Sequence, residues 1–200
     1  ADYVNLLPKE NVEVELKDQT LYLKSGSHKT YIKGLGAGDF PLIPELEWLE
    51  PIVVKSADLK QALNQVTFAV TLDESRPEIS GVLFAFTDKT LTLAGTDSYR
   101  LAERGLSLTK GSGVSAKIII PLRTLQELSR ILSETQESEA LLYFNNNQIL
   151  FALNDEVELI SRLLEGQYPD YQPIIPTTHK TQAKVKASEF ARVVKSAALF

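Results

Sequence analysis

The sequence of 200 residues predicts an α+β fold built from repeated domains. Three observations lead to this prediction. Short runs rich in β-forming residues, separated by polar turns, are typical of antiparallel strands. Three longer stretches carry apolar residues at helical spacing. In addition, residues 13–41 align with residues 141–169 at one constant offset. Because that offset exceeds the roughly 20–50 residues of a solenoid unit, each copy is a whole domain.

The repeat also indicates how the chain is organised. The paired positions are Leu16 and Phe144, Leu21 and Ile149, Leu23 and Phe151, Ile32 and Ile160, Leu35 and Leu163, Gly38 and Gly166, Phe40 and Tyr168, and Pro41 and Pro169. In the same way, residues 54–60 are echoed by residues 185–191. We therefore expect the end of a first domain (1–50), a complete central domain (51–178) and the start of a third (179–200). The absence of an initiator Met fits this expectation of a piece of a longer chain.

The first region is predicted to form three short strands, at 12–16, 20–24 and 29–33. Lys17-Asp18-Gln19 is a polar hairpin turn between the first two strands, and residues 34–39 form a loop.

A helix over 56–70 follows, with Ser56 as a plausible N-cap. Its apolar stripe consists of Leu59, Ala62, Leu63, Val66 and Val70. Lys60, Asn64 and Thr67 fall on the opposite face.

The rest of the chain continues the same alternation of strands and helices. Strands are predicted at 80–86, 90–95, 99–107, 115–120, 140–144, 148–153 and 157–164. A second helix covers 122–134, with Pro121 at its start. Its inward positions are Leu125, Leu128, Ile131 and Leu132, and its outward positions are Arg123, Gln126, Glu127 and Arg130. A third helix, capped by Ser188, carries the apolar stripe Phe190, Val193, Val194 and Ala197.

Composition narrows the class of protein. The hydrophobic fraction of 44% is ample for a core. No segment approaches the roughly 18 unbroken apolar residues of a membrane span, so no membrane partner is expected. The absence of cysteine excludes disulfides, thiolate catalysis and cysteine-ligated zinc, and fits a reducing cytoplasm. The formal net charge of −5 argues against a protein that grips DNA phosphates tightly, but not against one that encloses DNA.

The sequence contains no convincing catalytic constellation. His28 and His179 have no metal-ligand spacing around them, which indicates surface positions. The stretch 34–38, Gly-Leu-Gly-Ala-Gly, lacks both the Lys-Ser/Thr of a P-loop and the strand–helix context of a dinucleotide site. The acidic pairs 73–74 and 155–156 are better explained as solvated turns than as an acid/base dyad, and no Gly-x-Ser-x-Gly elbow occurs. We therefore predict a non-catalytic protein with no metal and no cofactor.

The segment 95–102, Gly-Thr-Asp-Ser-Tyr-Arg-Leu-Ala, has two explanations. A Thr-Asp-Ser turn between strands can form because Asp and Ser side chains hydrogen-bond their own backbone. Tyr99-Arg100-Leu101 is also the aromatic, guanidinium and aliphatic composition that interface anchors favour. On the residues alone, a structural turn and an interaction site both stay open.

Four motifs in chain order carry a resemblance to a known family. They are Arg76-Pro-Glu-Ile-Ser-Gly-Val-Leu-Phe84, Gly95-Thr-Asp-Ser-Tyr-Arg-Leu-Ala102, Ile120-Pro-Leu-Arg-Thr-Leu-Gln-Glu-Leu128 and Leu164-Glu-Gly-Gln-Tyr-Pro-Asp-Tyr171. Together they closely resemble the bacterial sliding clamp, the beta subunit of DNA polymerase III. The resemblance implies a DNA clamp fold with three similar domains per chain. In a head-to-tail homodimer, six domains close a ring, with antiparallel sheets outside and two helices per domain facing a central channel. Duplex DNA would pass through the channel, and the ring would tether the polymerase without catalysing anything.

The resemblance further implies a pocket for short partner peptides between the second and third domains. Its central-domain wall matches Ile79, Thr96, Ser98, Tyr99, Arg100, Leu101, Pro169 and Ile174. Aliphatic Ile79, Leu101 and Ile174 would receive apolar side chains of a Gln-Leu-x-Leu-Phe-type peptide, with Tyr99 and Arg100 at the rim. The partners implied are the replicative polymerase catalytic subunit, the clamp loader and other proteins that carry the clamp-binding motif.

This chain departs from the family pattern at the pocket. Many members have Gly-His where this chain has Ser98-Tyr99, and Pro173 replaces a residue that is basic in some members. Both departures affect peptide preference more than the existence of the pocket.

A DNA channel and a dimer edge are implied in the same way. The channel positions are Lys55, Lys60, Arg76, Arg123, Arg130, Arg192 and Lys195. A basic lining inside an acidic ring would let DNA slide on screened, sequence-independent contacts. The strand 24–33, with Lys24, Lys29 and Lys33, matches the first-domain edge that pairs with a neighbouring chain, and ring closure would cover this edge.

Two other classes of function are weighed against a clamp. A direct nucleic-acid-binding protein would use the basic helix faces, but the net charge argues against it. A nuclease would need clustered carboxylates at strand ends, which the sequence lacks.

Overall fold

A computed structural model describes residues 2–8, 11–39, 50–71, 73, 75–108, 110–134, 137–153 and 157–199. The chain divides into two compact units, residues 1–47 and 48–200. Some expectations fall outside the described residues. These are the Phe40-Pro41 end of the repeat, Glu74 of one acidic pair, and the pair Asp155-Glu156.

The first unit contains a three-stranded antiparallel sheet. It comprises a short helix α1 (Asp2–Asn5) and strands β1 (Glu13–Lys17), β2 (Thr20–Ser25) and β3 (His28–Lys33), in the order β1-β2-β3. Asp18 and Gln19 form the first hairpin turn with φ values of 47° and 63°. Two successive positive φ values match the right-handed twist of paired strands. The predicted strands and hairpin are therefore confirmed.

The second unit has eight strands and three helices among its described residues. The strands are β4 (Ile52–Lys55), β5 (Gly81–Phe86), β6 (Thr90–Thr96), β7 (Leu101–Ser107), β8 (Ala116–Pro121), β9 (Glu139–Phe144), β10 (Gln148–Ala152) and β11 (Glu158–Arg162). The helices are α2 (Ser56–Val66), α3 (Leu122–Glu134) and α4 (Ala187–Ala197). The strands form two antiparallel sheets, ordered β7-β6-β5-β8 and β11-β10-β9-β4. The predicted α+β class is confirmed.

The main core lies between the two sheets and the apolar stripes of α2 and α3. Its largest fully buried side chains include Phe84, Phe151, Leu59 and Leu125. Each such side chain contributes about 1.5–3 kcal/mol of burial free energy. Because the apolar faces of both helices point into this core, their polar faces are left on the surface.

A second, smaller core covers the opposite face of the β7-β6-β5-β8 sheet. It consists of Leu83, Ala94, Ile119, Tyr168 and Tyr171. The segment 164–172 lies across this face, held by a bond from the Leu164 amide to the Ile119 carbonyl (2.9 Å). The Tyr168 hydroxyl also donates to the Ala94 carbonyl (3.2 Å). This segment brings Tyr168 and Tyr171 close to the ends of β6 and β7, where the candidate site lies.

Both predicted serine N-caps are wrong. Ser56 is the first residue of α2 and Lys55 is its N-cap, while α4 begins at Ala187 with Lys186 as N-cap. In each case the preceding lysine has extended backbone, so the chain passes into the helix one or two residues earlier than the serine signal indicates.

Other element boundaries also differ from prediction. Helix α2 ends at Val66 and continues as a 3-10 turn over Thr67–Ala69, whereas the apolar spacing predicted helix to residue 70. Pro121 is the last residue of β8 rather than the first of α3. Strand β7 begins at Leu101 because residues 97–100 form a turn.

The internal repeat is confirmed in its first hairpin and differs in its third strand. Leu16 pairs with Leu21 as Phe144 pairs with Ile149, which is the register that one offset requires. In contrast, Leu21 pairs with Ile32, but Ile149 pairs with Ser161 rather than Ile160. The single offset is therefore wrong for the third strand, because the β10–β11 connection is longer than the β2–β3 turn.

Candidate functional site: the turn between β6 and β7

The turn of residues 97–100 is closed by its own side chains. Asp97 Oδ1 accepts hydrogen bonds from the amides of Tyr99 (3.0 Å) and Arg100 (2.9 Å). Thr96 Oγ1 donates to the Arg100 carbonyl (2.8 Å) and accepts from the Ser98 amide (3.1 Å). Such side-chain bonds replace the strand ladder where β6 reverses into β7. The segment 95–102 therefore does contain the predicted structural turn, which the side chains of Thr96 and Asp97 close.

Arg100 is fixed in direction by two neighbours. Its Nε donates to Asp97 Oδ2 (3.1 Å), and its guanidinium carbon lies 5.6 Å from the centre of the Phe68 ring. The Phe68 side chain is itself exposed, so the stacked pair lies at the surface. The Arg100 amide, then the Tyr99 amide and the Arg100 guanidinium, hold the pKa of Asp97 below its ordinary value. The carboxylate thus stays charged and keeps Arg100 in place at neutral pH.

A second arginine, Arg76, also contacts the turn. Arg76 Nη1 donates to Ser98 Oγ (2.8 Å), and its Nε lies 3.4 Å from Glu78 Oε1. Ser98 has a φ of 75°, a conformation that glycine adopts without strain and that costs other residues about 1–2 kcal/mol. The serine hydroxyl therefore gives this chain a bond to Arg76 that a glycine could not make.

Seven of the eight predicted pocket residues fall into three groups, and the eighth, Ile79, is described below. Thr96, Ser98, Tyr99 and Arg100 lie together at the turn, with Tyr99 97% exposed. Leu101 packs partly buried against the core cluster that contains Tyr168 and Tyr171, whose chain neighbour Pro169 is exposed. Ile174 lies on the 3-10 turn Gln172–Ile174 and is 74% exposed.

Ile79 differs from the expectation. It was expected to receive an apolar peptide side chain, but its own side chain is only 2% exposed. The 3-10 turn Pro77–Ile79 directs it into the protein, with its amide bonded to the Arg76 carbonyl (3.1 Å). Ile79 therefore supports the loop that carries Arg76 and does not form an open wall.

Three residues of the site were missed by sequence reasoning: Phe68, Asp97 as the partner of Arg100, and Glu78. Phe68 lies off the apolar stripe of the helix predicted over 56–70, and an aromatic residue outside that stripe was the available signal. Its contact with Arg100 joins residues far apart in the sequence, which no local pattern shows.

The hydroxyl groups of the two tyrosines in the second core also form hydrogen bonds near the site. Tyr171 donates its hydroxyl to Glu103 Oε2 (2.5 Å), and burial, with this bond, raises the pKa of Tyr171. Burial raises the pKa of Tyr168 to about 12. The rings of the two tyrosines meet edge to face at 6.2 Å. Both phenols are therefore neutral at physiological pH.

Replacing Tyr168 with Phe is expected to change how stability depends on alkaline pH. The unfolded tyrosine ionises near pH 10 and the folded one near 12, so the folded state holds its proton longer and stability falls as pH rises from 10 towards 12. This loss amounts to about 1.4 kcal/mol between pH 8 and pH 11. At pH 8, Tyr168→Phe is expected to be about 1 kcal/mol less stable than the wild type, because it lacks the hydroxyl hydrogen bond. It should also lack the part of the alkaline loss of stability that ionisation of Tyr168 causes.

Urea unfolding at pH 8 and pH 11 measures both effects. Tyr99→Phe is the matched control, because Tyr99 is almost fully exposed. An alkaline loss equal in the wild type and Tyr168→Phe would contradict this account of Tyr168.

The outward faces of α2 and α3 lie side by side. Ser129 Oγ on α3 donates to Asn64 Oδ1 on α2 (3.1 Å). Lys60 precedes Asn64 by one helical turn on α2 and therefore lies on the same face. Arg130 bonds to Glu127 (2.6 Å) and Glu134 (2.8 Å), and these partners raise the pKa of Arg130 above its ordinary value. Two carboxylates therefore offset the charge of Arg130.

The other predicted channel residues lie on several elements. Lys55 is exposed at the start of α2, Arg123 is exposed in the first turn of α3, and Arg192 and Lys195 are exposed on α4. Arg76 binds Ser98 and thus belongs to the turn rather than to a helix face.

The predicted dimer-edge residues do not share one strand. Lys29 and Lys33 lie on β3, at one side of the three-stranded sheet, but Lys24 lies on the central strand β2. Lys24 pairs with Glu13 across β1 (3.0 Å). The expectation of a continuous strand over 24–33 is wrong, because Gly26 turns the chain with a φ of 55°.

Other expectations concern metals, histidines and membranes. Among the described residues, no three or more His, Asp or Glu side chains are grouped so as to hold a metal ion. His28 and His179 are exposed, as predicted. None of the helices in the described ranges has the length and apolar character needed to cross a membrane.

Comparison with known proteins identifies the protein family that this chain resembles. Residues 53–170 match the family model described as the DNA polymerase III beta subunit, central domain. The chain is 34% identical over 200 residues to the beta sliding clamp of Bacillus subtilis (strain 168), covering 100% of this chain and 52% of that protein. The crystal structure of the Bacillus subtilis DNA polymerase sliding clamp superposes with a TM-score of 0.83, covering 99% of this chain and 52% of that one. The beta subunit from DNA polymerase of Streptococcus pyogenes gives a TM-score of 0.80 at 26% identity, with 99% and 53% covered.

The chain therefore belongs to the DNA polymerase III beta subunit family, the bacterial sliding clamps. The resemblance seen in the sequence and the clamp domain fold are confirmed. The chain spans about half the length of the curated relatives that it matches.

Proposed function

We propose that the intact protein is a DNA sliding clamp: a non-catalytic ring in the cytoplasm that encircles duplex DNA and tethers the replicative polymerase to it. The similarity of the whole chain, over both units, to sliding clamps carries this proposal. In it, residues 1–50 end one clamp domain, 51–178 form the central domain and 179–200 begin a third. Two chains would close the ring head to tail, since a heterologous contact that closes by rotation gives a ring.

The polar faces of α2, α3 and α4 would line the channel. Lys55, Lys60, Arg192 and Lys195 make no ion pair with a described residue, so their charges are available to phosphates. Arg130 would contribute less than these four, because Glu127 and Glu134 bind it. A few local cations in a chain of net charge −5 suit loose, screened contact with DNA that is held by enclosure.

The turn at 97–100 would form part of the pocket for clamp-binding peptides, with Leu101, Pro169 and Ile174. Arg100 is already oriented by Asp97 and Phe68, so less side-chain entropy is lost when a peptide binds. The polymerase catalytic subunit, the clamp loader and other proteins with the same motif would compete for this pocket.

The outer side of β3 would pair with the neighbouring subunit in the ring. Lys29 and Lys33 lie on that strand, and strand edges bearing lysine resist unintended pairing.

Retention on circular DNA tests the encirclement proposal. A full-length protein containing these 200 residues is loaded onto nicked circular DNA by a clamp loader, and the DNA is then linearised with a restriction enzyme. We expect the protein to stay on circles during gel filtration in high salt and to leave linear DNA by sliding off its ends. Blocking both ends with bound protein should restore retention. Equal retention on circular and open linear DNA would contradict enclosure and favour direct binding.

A further inference from the structure

The three-stranded sheet of the first unit has one apolar face and one aromatic, basic face. Strand alternation places Val14, Leu16, Leu21, Leu23 and Ile32 on the first. On the other face, register places Tyr22 beside Tyr31, with Lys24 beside Lys29 at one end and Lys17 and Lys33 at the other. These last six residues are called the Tyr–Lys face.

The two tyrosines form an exposed pair on neighbouring strands. Their ring centres are 6.2 Å apart with an interplanar angle of 39°. Tyr22 is 44% exposed and Tyr31 is 63% exposed, so ring surface is open to solvent. Exposed aromatic rings on adjacent antiparallel strands are the arrangement on which sheet-based nucleic-acid modules stack bases.

The charges on this face suit an anionic chain. Lys24 pairs with Glu13 (3.0 Å) and Lys17 with Glu15 (2.8 Å), which leaves Lys29 and Lys33 without an ion pair to any described residue. Register places Glu13 and Glu15 on this same face, so its four lysines and two glutamates leave a net charge of +2 in a chain whose net charge is −5. At ~3.4 Å per residue, Lys29 and Lys33 lie roughly 14 Å apart along β3, with Tyr31 midway between them.

We propose that the Tyr–Lys face binds single-stranded nucleic acid. Bases stack on Tyr31 and Tyr22, while the flanking phosphates contact Lys29 and Lys33. An acidic peptide would satisfy the lysines but would leave the exposed rings unused, so the combination favours a single strand. The site lies on a sheet face of the first unit and is independent of the helix faces proposed to surround duplex DNA.

Fluorescence anisotropy with a fluorescein-labelled 12-mer of thymidylate tests the proposal on the 200-residue chain. We expect Tyr22→Ala/Tyr31→Ala to weaken binding about 10-fold or more, since stacking contributes about 5- to 150-fold per base. Lys29→Ala/Lys33→Ala should lower the slope of log affinity against log salt by about 1.4, at about 0.7 per phosphate contact on a single strand. Lys89→Ala/Lys117→Ala is the matched control and should leave the affinity unchanged, because both lysines are exposed and lie in the second unit.

Photo-crosslinking provides a readout that does not depend on affinity. An oligonucleotide carrying 5-iododeoxyuridine should crosslink to Tyr31 or Tyr22, as located by mass spectrometry, with far-UV circular dichroism confirming that each variant is folded. The proposal is overturned by the absence of binding, by equal affinity in the wild type and the tyrosine variant, or by a loss of affinity in the Lys89/Lys117 variant as large as that in the tyrosine variant. Competition by polyglutamate as strong as that by the oligonucleotide would also overturn it. None of these outcomes depends on whether the intact protein closes a ring.

Discussion

Replacing Gly81 with Ala is expected to lower the free energy of unfolding by about 3 kcal/mol. A Cβ at this position would lie 2.4 Å from the Ile120 carbonyl oxygen and 2.8 Å from Leu164 Cδ1. The closest atom belongs to the backbone of β8, which pairs with β5 along its whole length, so it cannot rotate away. The added methyl group therefore forces the two strands apart or displaces the segment that begins at Leu164.

Gly105 provides the matched control for this prediction. It lies in β7, and a Cβ built there meets nothing within 4 Å. Gly105→Ala is expected to change the free energy of unfolding by less than about 1 kcal/mol, because it only reduces the freedom of the unfolded chain. Urea denaturation of both variants gives the comparison. Similar midpoints for the two variants would show that the close approach of β5 and β8 is not what requires Gly81.

The strands and the helix faces were predictable because their signals are local. Alternating residues in β5 do face two different cores, and the stripe of α2 does point inward. The helix starts were not predictable from Ser56 and Ser188, since each helix begins directly after a lysine with extended backbone, Lys55 or Lys186. The register that the repeat predicted for its third strand was wrong for a similar reason. The length of the connection before β11 shifts the strand pairing without changing the apolar pattern.

The candidate site was only partly predictable because its contacts join distant segments. The motif at 95–102 marked the turn, but the sequence did not show that Arg76 reaches Ser98 or that Phe68 lies under Arg100. Ile79 looked like an aliphatic surface residue, since its burial depends on how a short 3-10 turn is seated. Likewise, Lys24 looked like an edge residue until strand order placed it on the central strand.

Replacing Arg100 with Ala is expected to weaken binding of a Gln-Leu-x-Leu-Phe-type peptide to the full-length protein by at least about 10-fold, or about 1.4 kcal/mol. The expected loss follows from the proposal that Arg100 is part of the peptide-binding pocket. Arg100 is exposed, but Asp97 and Phe68 fix its direction, so its hydrogen bonds to a peptide are made at low entropic cost. Fluorescence anisotropy with a labelled peptide measures the change. Arg104→Ala is the matched control, because Arg104 is an exposed arginine on β7, the strand that follows the turn.

Two further variants separate positioning from direct contact at the pocket. Asp97→Asn keeps the size of the side chain but removes the charge that holds Arg100, so we expect a smaller loss than for Arg100→Ala. Asp97 is held below its ordinary pKa, so its stabilising charge is present above about pH 4 and is lost as pH falls through that lowered pKa. Wild-type binding should therefore weaken at strongly acidic pH, and Asp97→Asn should lack this part of the dependence. Leu101→Ala should weaken binding through lost apolar contact without altering the pH profile. If Arg100→Ala and Arg104→Ala bind the peptide equally, the turn between β6 and β7 is not part of the pocket.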